Sequence, residues 1–113
     1  MSGLSTHVLD LALGRPAAGV AVRLERYESG SWTGVSEAVT NADGRVPSLL
    51  PPHVPLLPGR FRLLFELAHY FAAQSVEPFF PEALLVFDVR DANRHHHVPL
   101  LFAAHGYSTY RGS

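Results

Sequence analysis

The 113-residue chain has no cysteine and no lysine, and a single methionine and tryptophan. Without cysteine no disulfide can staple the fold, and no thiolate can serve as nucleophile or metal ligand. An excess of charge of one sign is also missing. Nine arginines oppose ten acidic residues, giving a formal net charge of −1. Nothing electrostatic therefore points to nucleic acid or an anionic membrane as partner. Long apolar runs are absent: "PLLPG" and "ALLVF" fall far short of the ~20 residues of a membrane helix. The first residues, "MSGLSTHVLD", lack the basic and apolar regions of a secretory signal, and the final "RGS" is not a peroxisomal tripeptide. The expectation is a cytoplasmic protein. Three enzyme classes also lose their motifs, since there is no GxSxG elbow, no P-loop and no GxGxxG opening a helix.

What the chain does contain is 47% hydrophobic residues with moderate charge, the composition of an ordinary globular protein folding as one domain over residues 1–113. Its apolar residues recur with the period of two that marks strands. "STHVLDLALG" reads as a strand ended by Gly14 and Pro16. In "GVAVRLERYES", Val20, Val22, Leu24 and Arg26 share one face, with Ala21, Arg23, Glu25 and Tyr27 on the other. "GSWTGVSEAVT" follows as another strand. "TNADGR" is a turn, because Asn and Asp bond their own backbone and Gly44 accepts positive φ. "LLPPHVPLLPG" is too proline-rich for a central strand or a helix and reads as an ordered surface loop. "RFRLLFEL" is a strand, and "AHYFAAQSV" a helix of about two turns stopped by "EPFFP". "ALLVFDVR", "HHHVPLLFA" and "GYSTY" complete the set, the first two joined by a tight "DANR" turn. Seven or eight short strands with one short helix predict an all-β, antiparallel sandwich. Such a fold fills its middle with side chains, so a small-molecule site belongs at a loop end, on an outer face or between subunits.

Alternation selects the candidate face. Val98, Leu100 and Phe102 form a core row, which sends His95, His97, Pro99 and Leu101 outward. If Thr6 and Val8 point inward, His7, Leu9 and Leu11 point out with them. At the end of the chain Ser108, Tyr110 and Gly112 share one side, Tyr107 and Thr109 the other. An outer face with Leu9, Leu11, Leu101, Tyr110 and two histidines is too apolar for plain solvated surface and predicts an interface with a second subunit. Of the three consecutive histidines only His95 and His97 share a face, which is too few ligands for a metal site, so no metal is expected.

The terminal block "HGYSTYRGS" closely resembles the Tyr-Arg-Gly-Ser ending of the 5-hydroxyisourate hydrolases, the enzymatic branch of the transthyretin-like family. "LSTHVLD", "TNADGR" and "HHHVPLLF" are similar to three other blocks of that family in the same order, so the resemblance spans Leu4 to Ser113. It implies a transthyretin-like sandwich of two four-stranded sheets with one short helix. It further implies a homotetramer with active sites where dimers meet, and hydrolysis of 5-hydroxyisourate to 2-oxo-4-hydroxy-4-carboxy-5-ureidoimidazoline in urate breakdown. No cofactor is implied.

Carried over residue by residue, the resemblance assigns His7, Arg45, His97 and Ser113 to catalysis, and His7, Arg45, Tyr110, Arg111 and Gly112 to substrate binding. Arginine can hold substrate oxygens through its planar fork and stabilise charge building on an attacked carbonyl. A neutral imidazole can take a proton from water and return one to the leaving nitrogen. The sequence leaves open which of His7 and His97 does so. His96 stands where the family often has tyrosine, and alternation turns it away from His97. The competing reading is a small-ligand carrier on the same fold, as in vertebrate transthyretin, which lacks the catalytic set present here.

Overall fold

The computed structural model of the chain describes residues 3–112. Nine strands and one helix follow in the order β1 (Gly3–Asp10), β2 (Arg15–Pro16), β3 (Ala21–Glu28), β4 (Ser31–Val39), β5 (Arg45–Val46), β6 (Gly59–Glu66), α1 (Ala68–Ala72), β7 (Glu82–Val89), β8 (His95–Ala103) and β9 (Gly106–Thr109). One sheet has the order β4-β3-β6-β7; the other runs β2-β1-β8-β9, with β5 also pairing β1. The outer edge of this second sheet is therefore built from two two-residue segments placed end to end along β1. Their register shows it: Leu9 and Asp10 face β2, whereas Thr6 and His7 face β5.

The inward rows are those that the period of two selects. Leu4, Val8, Leu100 and Phe102 from one sheet meet Val22, Leu24, Phe61, Leu63, Phe65 and Ala83 from the other, all buried. A fully buried ring or branched chain of this kind contributes about 1.5–3 kcal/mol, so these two rows supply the main drive to fold. Arg26 stays on the core side at the open end of β3. Its guanidinium lies 5.0 Å from the Phe61 ring centre and donates to the Pro58 carbonyl at 2.8 Å. A register shift between Leu24 and Glu25 accompanies the unusual burial of Glu25, which takes up Arg62 at 2.5 Å and Arg23 at 3.3 Å.

Three features differ from the sequence-based expectation. The sandwich is not wholly antiparallel, because β1 and β8 run parallel over eight paired residues. The "DANR" segment does not make a hairpin: β7 and β8 lie in different sheets, so it carries the chain across the sandwich. The helix is shorter, ending at Ala72, where Ser75 turns to φ +57° and the Val76 amide returns to the Phe71 carbonyl. That helix is tied down by Tyr70, whose hydroxyl donates to the buried Asp10 carboxylate at 2.7 Å and whose ring meets Phe102 edge-on at 5.4 Å. Asp10 also accepts the Leu13 amide at 3.0 Å, so one buried carboxylate fixes both the end of β1 and the helix.

Candidate functional site

The outer face of the β1–β8 sheet forms a grid. Parallel pairing sets Gly3 level with His95, Ser5 with His97, His7 with Pro99 and Leu9 with Leu101. On the far side of β1, Arg45 stands level with His7. On the far side of β8 the register of β9 continues to a bridge between His97 and Gly112. Residues level on neighbouring strands present their side chains to the same face. Arg45, His7, Ser5, His95, His97 and Gly112 thus converge although they come from four distant parts of the chain.

The "TNADGR" turn aims Arg45. The Asn41 side-chain oxygen accepts the Asp43 and Arg45 amides at 2.9 and 3.0 Å, and Gly44 takes φ +73°. A Cβ on Gly44 would lie 2.5 Å from the Val8 carbonyl oxygen, so only glycine lets the turn press against β1. The same turn orients His7, whose Nε2 lies 2.9 Å from the Asp43 carbonyl. A carbonyl can only accept, so His7 Nε2 carries the proton and its Nδ1 is free.

His97 is held on two sides. Its Nδ1 lies 2.8 Å from the Ser5 hydroxyl, leaving Nε2 free of described protein partners. Gly112 closes over the ring: a Cβ there would stand 2.6 Å from His97 Cδ2, while the Gly112 amide donates to the His97 carbonyl at 2.8 Å. Partial burial holds His97 below the ordinary histidine range, and the positive charge of Arg45 and the nearby His7 and His95 push it the same way. The imidazole is therefore neutral at pH 7.

Ser5, Thr6, Arg45, Pro47, His95 and His97 line a cleft of about 290 Å³ on this face. Tyr110 and Arg111 line a neighbouring cleft of about 220 Å³ where β7 and the end of the chain approach each other, together with Leu85, Phe87 and His96. His97 borders both. His96 is buried on the opposite face from His97, as alternation requires, with Nδ1 donating to the Arg94 carbonyl at 3.0 Å. Of the sequence candidates, Arg45, His7, His97 and Gly112 come together, Tyr110 and Arg111 sit along the adjoining edge, and Ser113 lies outside the described residues. Ser5 was missed. A serine in an alternating strand carries no signal by itself, and only the parallel register with β8 reveals it.

Residues 4–112 match the family described as Transthyretin: HIUase/Transthyretin family. A 5-hydroxyisourate hydrolase from Deinococcus radiodurans is 47% identical over 114 residues, spanning 98% of this chain and 96% of that protein. Among solved structures, Klebsiella pneumoniae 5-hydroxyisourate hydrolase is similar with a TM-score of 0.84 and 41% identity, covering 99% of this chain and 100% of that one. Sea bream transthyretin in complex with thyroxine gives a TM-score of 0.88 at 30% identity, covering 97% and 94%.

Proposed function

The chain belongs to the HIUase/transthyretin family, and from that premise we propose that it hydrolyses 5-hydroxyisourate in the Arg45–His97 cleft. One observation carries the reading: a permanently charged arginine and a neutral, anchored histidine share a small cleft, with a second histidine beside them. A carrier needs shape and apolar lining; this cleft offers instead an anion-stabilising fork next to a proton acceptor. The near full-length likeness to 5-hydroxyisourate hydrolases supports the same activity.

The chemistry follows from the groups. Water adds to a ring carbonyl of the substrate and the carbonyl oxygen becomes anionic. Arg45 stabilises that oxygen, because its guanidinium stays charged and donates two parallel N–H groups. The free Nε2 of His97 takes the proton from the attacking water. When the ring C–N bond breaks, the same nitrogen returns a proton to the leaving nitrogen, so the imidazole ends as it began. The acid so formed releases its remaining proton to solvent, and the product is the carboxylate of 2-oxo-4-hydroxy-4-carboxy-5-ureidoimidazoline. His7, with Nε2–H committed to the Asp43 carbonyl, presents Nδ1 as an acceptor that orients a substrate N–H or the water. Tyr110 offers a phenol and a stacking surface at the border of the cleft. Arg111 serves the edge cleft rather than the reacting atoms.

The assembly belongs to the same proposal. The free edges of β7 and β9 lie on one side of the sandwich, and Leu84 and Val86 of β7 are exposed. Edge pairing with a second copy would satisfy the unpaired backbone groups of these edges. Leu11 and Leu13, just beyond β1, are also exposed, which suits a second contact between dimers. These two surfaces suit a homotetramer with the sites in the channel between dimers. Light scattering tests it: a monomeric mass with full activity would contradict the channel.

The carrier reading draws on the fold shared with thyroxine-bound sea bream transthyretin. Hydrolysis assayed with the His97→Asn variant separates the two. Loss of about 10²–10⁴-fold in turnover supports general acid–base work by His97, whereas turnover close to that of the unaltered protein excludes it.

A further inference from the structure

The Ser5 hydroxyl lies between two imidazoles, 2.7 Å from His95 Nε2 and 2.8 Å from His97 Nδ1. It has one hydrogen to donate and two lone pairs with which to accept. If both rings donated to the oxygen, the hydroxyl hydrogen would have no described partner; two arrangements use that hydrogen as well. In the first, His97 Nδ1–H donates to Ser5, Ser5 donates to His95 Nε2, and His97 Nε2 is bare. In the second every donor is reversed, and His97 Nε2 carries the proton. The first arrangement makes His97 a base toward the cleft, the second an acid.

We propose that Ser5 and His95 are positioning residues that form a proton relay behind His97, passing the proton drawn from water outward to His95. The transfer balances as follows. Water gives its proton to His97 Nε2 as hydroxide adds to the substrate carbonyl carbon; His97 Nδ1–H passes to Ser5 Oγ; the Ser5 hydroxyl hydrogen passes to His95 Nε2. His97 ends neutral with its proton on Nε2, and the positive charge rests on His95. Ring opening reverses the chain: His97 Nε2–H goes to the leaving nitrogen, and His95 returns its proton through Ser5 to His97 Nδ1.

The surroundings favour this route. A cationic His97 would face Arg45 from β5 and His7 from β1, and Gly112 on its remaining side brings no side chain. Among the described residues no carboxylate lines the cleft to pair with an imidazolium. Partial burial also opposes charge on His97. His95 is exposed at the start of β8, where water solvates the cation, and its other neighbour across the sheet is Gly3, whose backbone packs on the His95 ring. Ser5 itself is 7% exposed, so bulk water does not compete for its hydroxyl.

The inference rests on the hydrolase reading, and its test has one arm that does not need catalysis. Nitrogen-15 spectra of the histidine rings in the intact protein should show His97 with its proton on Nδ1 while His95 is neutral. As His95 gains its proton, the neutral His97 should switch to Nε2–H. In Ser5→Ala that switch should vanish. In the second arm, Ser5→Ala and His95→Gln should each lower kcat by about 10-fold or more, a share of what a whole general base provides. Their losses should not add in the double variant. Rate against deuterium fraction should curve for the unaltered enzyme, with several protons moving, and become linear in Ser5→Ala. His97 spectra that ignore His95 in an active enzyme, or additive losses, would overturn the relay. Absence of any hydrolysis by the folded protein would overturn the function instead, leaving the ring spectra to decide whether the network exists.

Discussion

Gly112→Ala probes the site with one methyl group. The added Cβ would stand 2.6 Å from His97 Cδ2 and 3.2 Å from its Cβ and Cγ. Carbon atoms in contact rest at about 3.5–4.0 Å, so the ring must retreat by about 1 Å or the terminal segment must lift by as much. Retreat of the ring shifts Nε2 relative to Arg45, which is fixed independently by the Asn41 turn, and lifting of the segment removes the wall that Gly112 sets against His97. A misplacement of ~1 Å costs about 10²-fold in a well-aligned site, equivalent to about 2.7 kcal/mol of transition-state stabilisation. The core is untouched, because Gly112 contributes one backbone hydrogen bond near the end of the chain. The assay is the decay of 5-hydroxyisourate absorbance, with thermal unfolding followed in parallel. Gly106→Ala is the control, since a Cβ there meets nothing within 4 Å. A kcat/KM for Gly112→Ala within a few-fold of Gly106→Ala would refute the close packing of the terminal segment on His97.

Gly44→Ala should act on the fold as well as the site. Its Cβ would strike the Val8 carbonyl at φ +73°, a left-handed backbone that alone costs about 1–2 kcal/mol, so the melting temperature should fall by several degrees and activity with it. Arg45→Ala should lower kcat/KM by about 10²–10³-fold, the loss found on removing one oxyanion donor, with the melting temperature unchanged. The acid limb of kcat/KM should lie below the ordinary histidine value of about 6.5, because His97 titrates low in the fold. The same depression makes His97 favour the folded state above about pH 6.5 and lose that contribution as pH falls toward its folded value. Stability should therefore drop through that acid window, and less so in His97→Gln.

The period of two in "HHHVPLLF" and "LSTHVLD" was enough to sort core from outer face, because burial on one side leaves an alternating trace. The "TNADGR" turn was legible for a similar reason: its Asx bonds and positive φ are local chemistry. Strand order was not legible. Nothing in either strand says that β1 and β8 run parallel, since pairing depends on how the whole sandwich closes. Ser5 was invisible for that reason, its meaning coming from a register partner more than ninety positions away. The separation of β7 from β8 was hidden too, because a four-residue link can turn back within a sheet or cross to the next one. Tyr110 and Arg111 were found through the terminal motif, yet their place along the edge cleft depends on how that segment runs past β8.

The central claim is tested most directly with 5-hydroxyisourate generated in place from urate by a separate oxidase, following its ultraviolet absorbance with and without this protein. The account predicts decay much faster than the spontaneous reaction, lost on His97→Asn while the fold is retained. Spontaneous decay unchanged by the folded protein would contradict it.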